Sequence, residues 1–146
     1  MIGNFWSLTR SQVYRELAAM ADAGLVEAQE RGARESRPYA ITERGREVFG
    51  RWLAEVPGRE SIRFPLLLTI VMGRHLPPER LAKIVAVHRT LHEQRLAEYE
   101  AAEAGARAAG FSDPFALATL QFGLAYERAA LEWFDALPAE IRGATR

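Results

Sequence analysis

Thr9-Arg10-Ser11-Gln12-Val13-Tyr14-Arg15-Glu16-Leu17, running on to Ala23-Gly24-Leu25-Val26, is the stretch that decides the fold. Thr9 can cap a helix through its hydroxyl, and Gln12 three residues on gives the spacing of a capping box. Val13, Leu17 and Met20 recur at intervals of four and three, which places them on one face of a helix over 9–23. Gly24 suits the residue that stops such a helix. Leu25-Val26-Glu27-Ala28-Gln29 then reads as a short strand, 31–37 as a polar turn around Gly32, and Pro38-Tyr39-Ala40-Ile41 as the returning strand of a hairpin. Thr42 caps a second helix over 43–55, with Val48, Phe49 and Trp52 expected to face inward.

Helix, hairpin and helix in that order make the back half of a winged helix-turn-helix with a two-stranded wing. In that fold the helix before the wing enters the DNA major groove by its N-terminal residues. Those residues here are Thr9, Arg10, Ser11, Gln12, Tyr14 and Arg15. Their side chains have the length and the donors to reach phosphates and base edges. Arg31, Arg34 and Arg37 sit at intervals of three in the turn of the hairpin, with Glu30 and Glu35 among them. Arg34 and Arg37 are the expected phosphate contacts of the wing, against the plainer reading of a solvated loop.

Val56-Pro57-Gly58-Arg59 breaks the helical pattern and divides a first domain, 1–57, from a second, 64–146. The second is expected to be all-helical, so the fold class is mostly α, within α+β. Pro65 to Gly73 reads as a short buried helix. Pro77-Pro78-Glu79 opens a long one, because proline fits the first turn and glutamate favours the helix dipole there. It runs to about Ala109 and stops at Gly110, with a stripe of Leu81, Val85, His88, His92, Leu96 and Tyr99, and Ile84 and Leu91 beside it. Asp113-Pro114 caps a last helix to about Leu137. Its expected stripe is Phe122, Tyr126, Ala129 and Trp133, widened by Phe115, Leu120, Leu124 and Phe134. Helices this apolar on more than one side require cover. A homodimer is therefore expected, with Leu81, Val85, His88, Leu96, Tyr99, Leu124 and Leu131 at the interface. Trp52, Phe122, Tyr126 and Trp133 are candidates to line a pocket for a small aromatic effector, against the plainer reading that they are core.

The chemistry of catalysis is not evident. The 146 residues contain no cysteine, which excludes disulfides, thiol catalysis and thiolate-bound zinc. His92-Glu93-Gln94-Arg95-Leu96 begins like a zinc-protease helix but ends in leucine where the second histidine belongs. His88 and His92 stand four apart without an evident third ligand, so no metal site, no cofactor and no enzyme are expected. The longest apolar run, 64–73, is too short to span a bilayer. No basic start followed by an apolar core marks a secretory signal. A cytoplasmic protein that does not engage a membrane is expected. With 19 basic and 19 acidic residues the chain has no net charge, so any attraction for DNA has to come from a locally basic face.

These residues together resemble the PadR-like transcriptional regulators. Phe5-Trp6-Ser7-Leu8 leading into the capped helix, and Ala23-Gly24-Leu25-Val26 after it, resemble the family's recognition-helix segment. Arg37-Pro38-Tyr39-Ala40-Ile41-Thr42-Glu43-Arg44-Gly45 resembles the second wing strand and the next helix start, a pattern shared with other winged-helix families. Gly123-Leu124-Ala125-Tyr126-Glu127-Arg128, ending in Trp133, resembles the final helix of the longer members, which carry a virulence-activator-type C-terminal domain. The resemblance implies a dimeric cytoplasmic regulator, usually a repressor, on a palindromic operator, with a small ligand at the interface in some members.

Two departures stand out. Family members place a helix and most of a second before the Phe-Trp element, whereas eight residues precede Thr9. Left uncovered, Val13, Leu17 and Met20 forfeit roughly 1.5–3 kcal/mol each. A misassigned start, a trimmed chain or a degraded paralogue would each account for this. The alternative to a DNA-binding regulator is accordingly a dimeric interaction protein that has lost DNA binding. Pro77, second, leaves its helix start without a side-chain cap.

Overall fold

The computed structural model describes residues 9–29, 37–59 and 62–143. The chain divides into two compact units, Met1–Ser61 and Ile62–Arg146. Arg34, like Arg31, lies outside the described residues.

The first unit holds helix α1 (Arg10–Asp22), strands β1 (Val26–Ala28) and β2 (Tyr39–Ile41), and helix α2 (Glu43–Leu53). Thr9 caps α1 as expected. Its hydroxyl accepts from the Gln12 amide while Gln12 Oε1 accepts from the Thr9 amide at 2.9 Å, a complete capping box. Gly24, at φ +69°, lets the chain leave the helix through a left-handed residue. The two strands pair antiparallel, Val26 with Ile41 and Ala28 with Tyr39. Both are shorter than expected, three residues each.

That shortness alters the core. The apolar face of α1 packs against β1 only in part. Val13 and Met20 are exposed, Leu17 is half-buried, and no α1 residue is fully buried among the described residues. On α2 the hairpin reaches the first turn, where Gly45 is buried. Seven residues on, about 10 Å along the helix axis, Trp52 is 58% exposed. Phe49 is exposed too and stacks on Trp52 with ring centroids 5.8 Å apart. The expectation that both face inward is thus corrected; Val48 alone of the three is half-buried.

The second unit is helical: α3 (Pro65–Val71), a 3-10 turn (Gly73–His75), α4 (Pro78–Ala108), α5 (Pro114–Ala136) and α6 (Ala139–Arg142). Asp113 caps α5 by accepting from the Phe115 amide at 2.9 Å, and Pro77 gives α4 no side-chain cap. Leu81 and Val85, early in α4, bury with Phe134 and Leu137 at the end of α5, joined by Leu66 of α3. Tyr99, late in α4, buries with Leu120 and Leu124, early in α5. The two helices therefore run antiparallel. Gly123 makes the close approach possible: a β-carbon there would lie 2.8 Å from Tyr99 Cε2.

Two expectations change here. α3 buries Leu66 but leaves Leu67, Leu68 and Val71 exposed, so it is not a buried helix. The face that α5 turns to α4 carries Leu120, Gly123, Leu124, Glu127 and Phe134. The aromatic stripe expected to be core lies off that face. Phe115 is 83% and Phe122 62% exposed, Trp133 is at the margin, and Tyr126 is half-buried. Small and aliphatic side chains let two helices approach more closely than a row of rings does.

Candidate functional site

The first unit is organised around Thr42. Its hydroxyl donates to the Gly24 carbonyl at 2.8 Å and accepts from the Gly45 amide at 2.9 Å. The Thr42 amide donates to the Leu25 carbonyl at 3.1 Å. One residue thus joins the end of α1, the base of the hairpin and the start of α2. The spacing from Thr42 to Gly45 has a steric cause, since a β-carbon on Gly45 would stand 2.1 Å from the Leu25 carbonyl oxygen.

On this frame α1 presents Arg10, Ser11, Gln12, Tyr14 and Arg15, all exposed. Thr9 is exposed as well, but its hydroxyl is committed to the cap, with Ser11 Oγ at 3.1 Å and Gln12 Oε1 at 2.9 Å. Gln12 keeps its amide donors, its carbonyl being held by Thr9. Arg15 lies 3.7 Å from Glu16 on a well-exposed surface, a pair of little strength. Two arginines beside the positive end of a helix attract anions. Arg37, just before β2, is exposed. The structure brings Thr9 to Arg15 together on one helix start.

The second unit has a polar layer between its two apolar clusters. Glu127 is buried, 1% exposed, and its Oε2 lies 2.5 Å from His92 Nδ1. Arg95 Nη1 approaches the other oxygen at 3.7 Å. Outside this pair Arg89 bonds Glu93 and Asp135, Gln121 bonds Glu103, and Arg128 bonds Glu100. A buried carboxylate needs such partners, because leaving water without them is costly.

Against this layer opens a cavity of about 320 Å³, within the second unit. Phe64 and Leu67 at the start of α3, His88 and His92 of α4, and Tyr126 and Trp133 of α5 are among its walls. His92 stands 5.5 Å from the Phe134 ring and 6.2 Å from the Tyr126 ring, centroid to centroid. Burial holds the Tyr126 hydroxyl above its ordinary pKa of 10.0, and the neighbouring Glu127 charge adds to this while Arg95 opposes it. Tyr126 is accordingly a phenol, and a donor, at neutral pH.

Of the four candidates for pocket lining, Tyr126 and Trp133 stand in the wall of this cavity. Phe122 is not in the wall, although it stacks on Tyr126 at 6.5 Å, and Trp52 belongs to the first unit. The expected interface set is also redistributed. Leu81, Val85, Tyr99 and Leu124 are buried by the α4–α5 packing of the chain itself, so they are not free to meet a partner. His88, Leu96 and Leu131 are half-buried. Sequence reasoning missed Glu127. Its signal was its place on the stripe Leu120, Leu124, Glu127 and Phe134, at intervals of four, three and seven. Among the described residues no group of three or more His, Asp or Glu side chains is arranged to hold a metal ion.

The family described as virulence activator alpha C-term matches residues 62–142, more than half of the chain. The chain belongs to that family. The PadR-like fold extends to the first unit. The structure is similar to that of Bacillus subtilis PadR in complex with operator DNA, at 22% identity and a TM-score of 0.77, over 96% of this chain and 82% of that one. It is also similar to the Vibrio cholerae virulence activator AphA, at 25% identity and a TM-score of 0.71, over 97% of this chain and 80% of that one. In sequence, the probable transcriptional regulator Rv1176c of Mycobacterium tuberculosis is 38% identical over 68 residues. That stretch is 41% of this chain and 36% of the regulator, so the likeness spans about a third of the relative's length. The winged-helix arrangement and the virulence-activator-type C-terminal helices are therefore both present. Among the described residues no helix is long and apolar enough to cross a membrane.

Proposed function

We propose that this chain is a DNA-binding transcriptional regulator, acting as a homodimeric repressor on a palindromic operator in the cytoplasm and not as an enzyme. The observation that carries the reading is the start of α1. A capped helix exposes Arg10, Ser11, Gln12, Tyr14 and Arg15 directly before a hairpin, on the frame shared with a relative solved on its operator. Arg10, Gln12, Tyr14 and Arg15 read base edges, and Arg37 with Arg34 holds phosphates. Two-fold symmetry would set two such helices against half-sites about one DNA turn apart. The exposed apolar residues Val87 and Leu91 of α4 and Phe115 and Phe122 of α5 supply surface for the second copy. The cavity of the second unit receives a small aromatic effector. Selection of duplexes from a random pool by the full chain tests the DNA reading. Enrichment of a palindrome supports it, and an unenriched pool contradicts it.

A second reading, a dimeric interaction protein without DNA binding, is favoured by one observation. Val13 and Met20 of α1 are 39% and 44% exposed, a face left open by the described residues.

A further inference from the structure

We infer that the cavity of the second unit selects an uncharged planar molecule of one or two rings and rejects the corresponding carboxylate. This rests on the effector reading above and adds the charge of the ligand to it. A volume of about 320 Å³ is at the small end of ligand sites, which run from about 300 to 1,000 Å³, so one or two rings fill it. The walls are aliphatic and aromatic apart from His88, His92 and Tyr126. Trp133 meets Phe134 edge-on at 4.9 Å, and such ring edges and faces suit a flat guest.

Charge sets the selection. Among the described residues neither lysine nor arginine lines the cavity. The charge behind the wall is the buried Glu127 carboxylate, and the groups that answer it are already engaged: His92 Nδ1 at 2.5 Å and Arg95 at 3.7 Å. An anionic ligand would bring a second negative charge beside Glu127 and lose water, with His92 already engaged by that carboxylate and neither lysine nor arginine in the wall to meet it. A neutral ring meets no such cost. With Nδ1 held by Glu127, His92 has Nε2 to offer, and Tyr126 offers its hydroxyl as a donor. A hydroxyl or carbonyl on the ring is therefore the polar handle that fits.

The test uses the full chain, with 2-naphthol and 2-naphthoate as probes in calorimetric titrations at neutral pH. Saturable binding of 2-naphthol, at least about tenfold tighter than the acid, is expected. Leu67→Trp and, separately, Ala130→Trp should each fill the cavity and weaken naphthol binding by a similar factor. Leu67 is 43% exposed, so its replacement keeps the fold even if that of Ala130 does not, with circular dichroism as the check. Equal or tighter binding of the acid overturns the charge inference and leaves the effector reading standing. No binding of either probe removes both. Naphthol binding unchanged in folded Leu67→Trp overturns the location.

Discussion

A β-carbon on Gly45 would stand 2.1 Å from the carbonyl oxygen of Leu25, and 2.8 Å from Ile41 Cγ1. The start of α2 is thus pressed against the base of the hairpin as closely as a backbone allows. The bridging hydroxyl of Thr42 fixes the same junction. The orientation of α1 before the hairpin depends on that contact.

Gly45→Ala should therefore destabilise the first unit by about 1–3 kcal/mol, as overpacking against unyielding atoms does. Amide hydrogen exchange over 9–59 is the measurement, because it reports each unit separately. Faster exchange there, with 62–143 unchanged, is the expected result. Protection equal to that of the parent chain would show that the junction yields freely.

Gly123 and Tyr99 form the corresponding contact in the second unit. Gly123→Ala should cost about 1–3 kcal/mol, since the ring edge 2.8 Å away must move. In a Tyr99→Leu background the same change should cost much less, because neighbouring sites couple. Equal costs in the two backgrounds, from urea unfolding, would contradict the packing described.

His92→Leu leaves Glu127 buried with only the more distant Arg95. Breaking a buried pair from one side costs about 3–5 kcal/mol, whereas replacing both partners by apolar residues is often neutral. The double change His92→Leu with Glu127→Met should then be more stable than His92→Leu alone. Urea midpoints compare the two, and a double variant no more stable than the single would deny the pair its role.

The elements of this fold were legible where local chemistry decides them. The Thr9–Gln12 capping box, Gly24, Thr42, Asp113-Pro114 and Gly110 all mark element ends, because caps and left-handed residues act over three or four positions. What periodicity did not resolve was which apolar face meets which neighbour. On α5 the rings at Phe115 and Phe122 outweighed Gly123 in the pattern, yet the glycine lets Tyr99 in and turns the rings outward. Trp52 was read as core because it is large and apolar, but the hairpin ends two turns short of it. The exposed start of α1 was legible because Arg10, Ser11, Gln12, Tyr14 and Arg15 are all polar or amphipathic. The cavity was half legible, since Tyr126 and Trp133 lie on one helix while Phe64, Leu67, His88 and His92 join them only through tertiary packing.

Tyr126 gives a prediction in alkali. Its folded pKa is raised, chiefly by burial, above the ordinary 10.0. The stability this implies is fully present below the unfolded value and is lost as pH rises through the folded one. Tyr126→Phe should therefore unfold less readily than the parent chain above about pH 10. Identical alkaline unfolding curves would set that coupling aside.

Recognition of DNA by the start of α1 is tested most directly by salt dependence. Fluorescence anisotropy of the full chain on its selected duplex, over a series of salt concentrations, gives the log–log slope of affinity. A steep fall in affinity with salt is expected. Arg37→Ala should flatten that slope by about one unit and weaken binding to all sequences alike. Gln12→Ala should leave the slope in place and relax sequence preference. Binding that ignores salt, or a slope and preference unchanged in both variants, would contradict it.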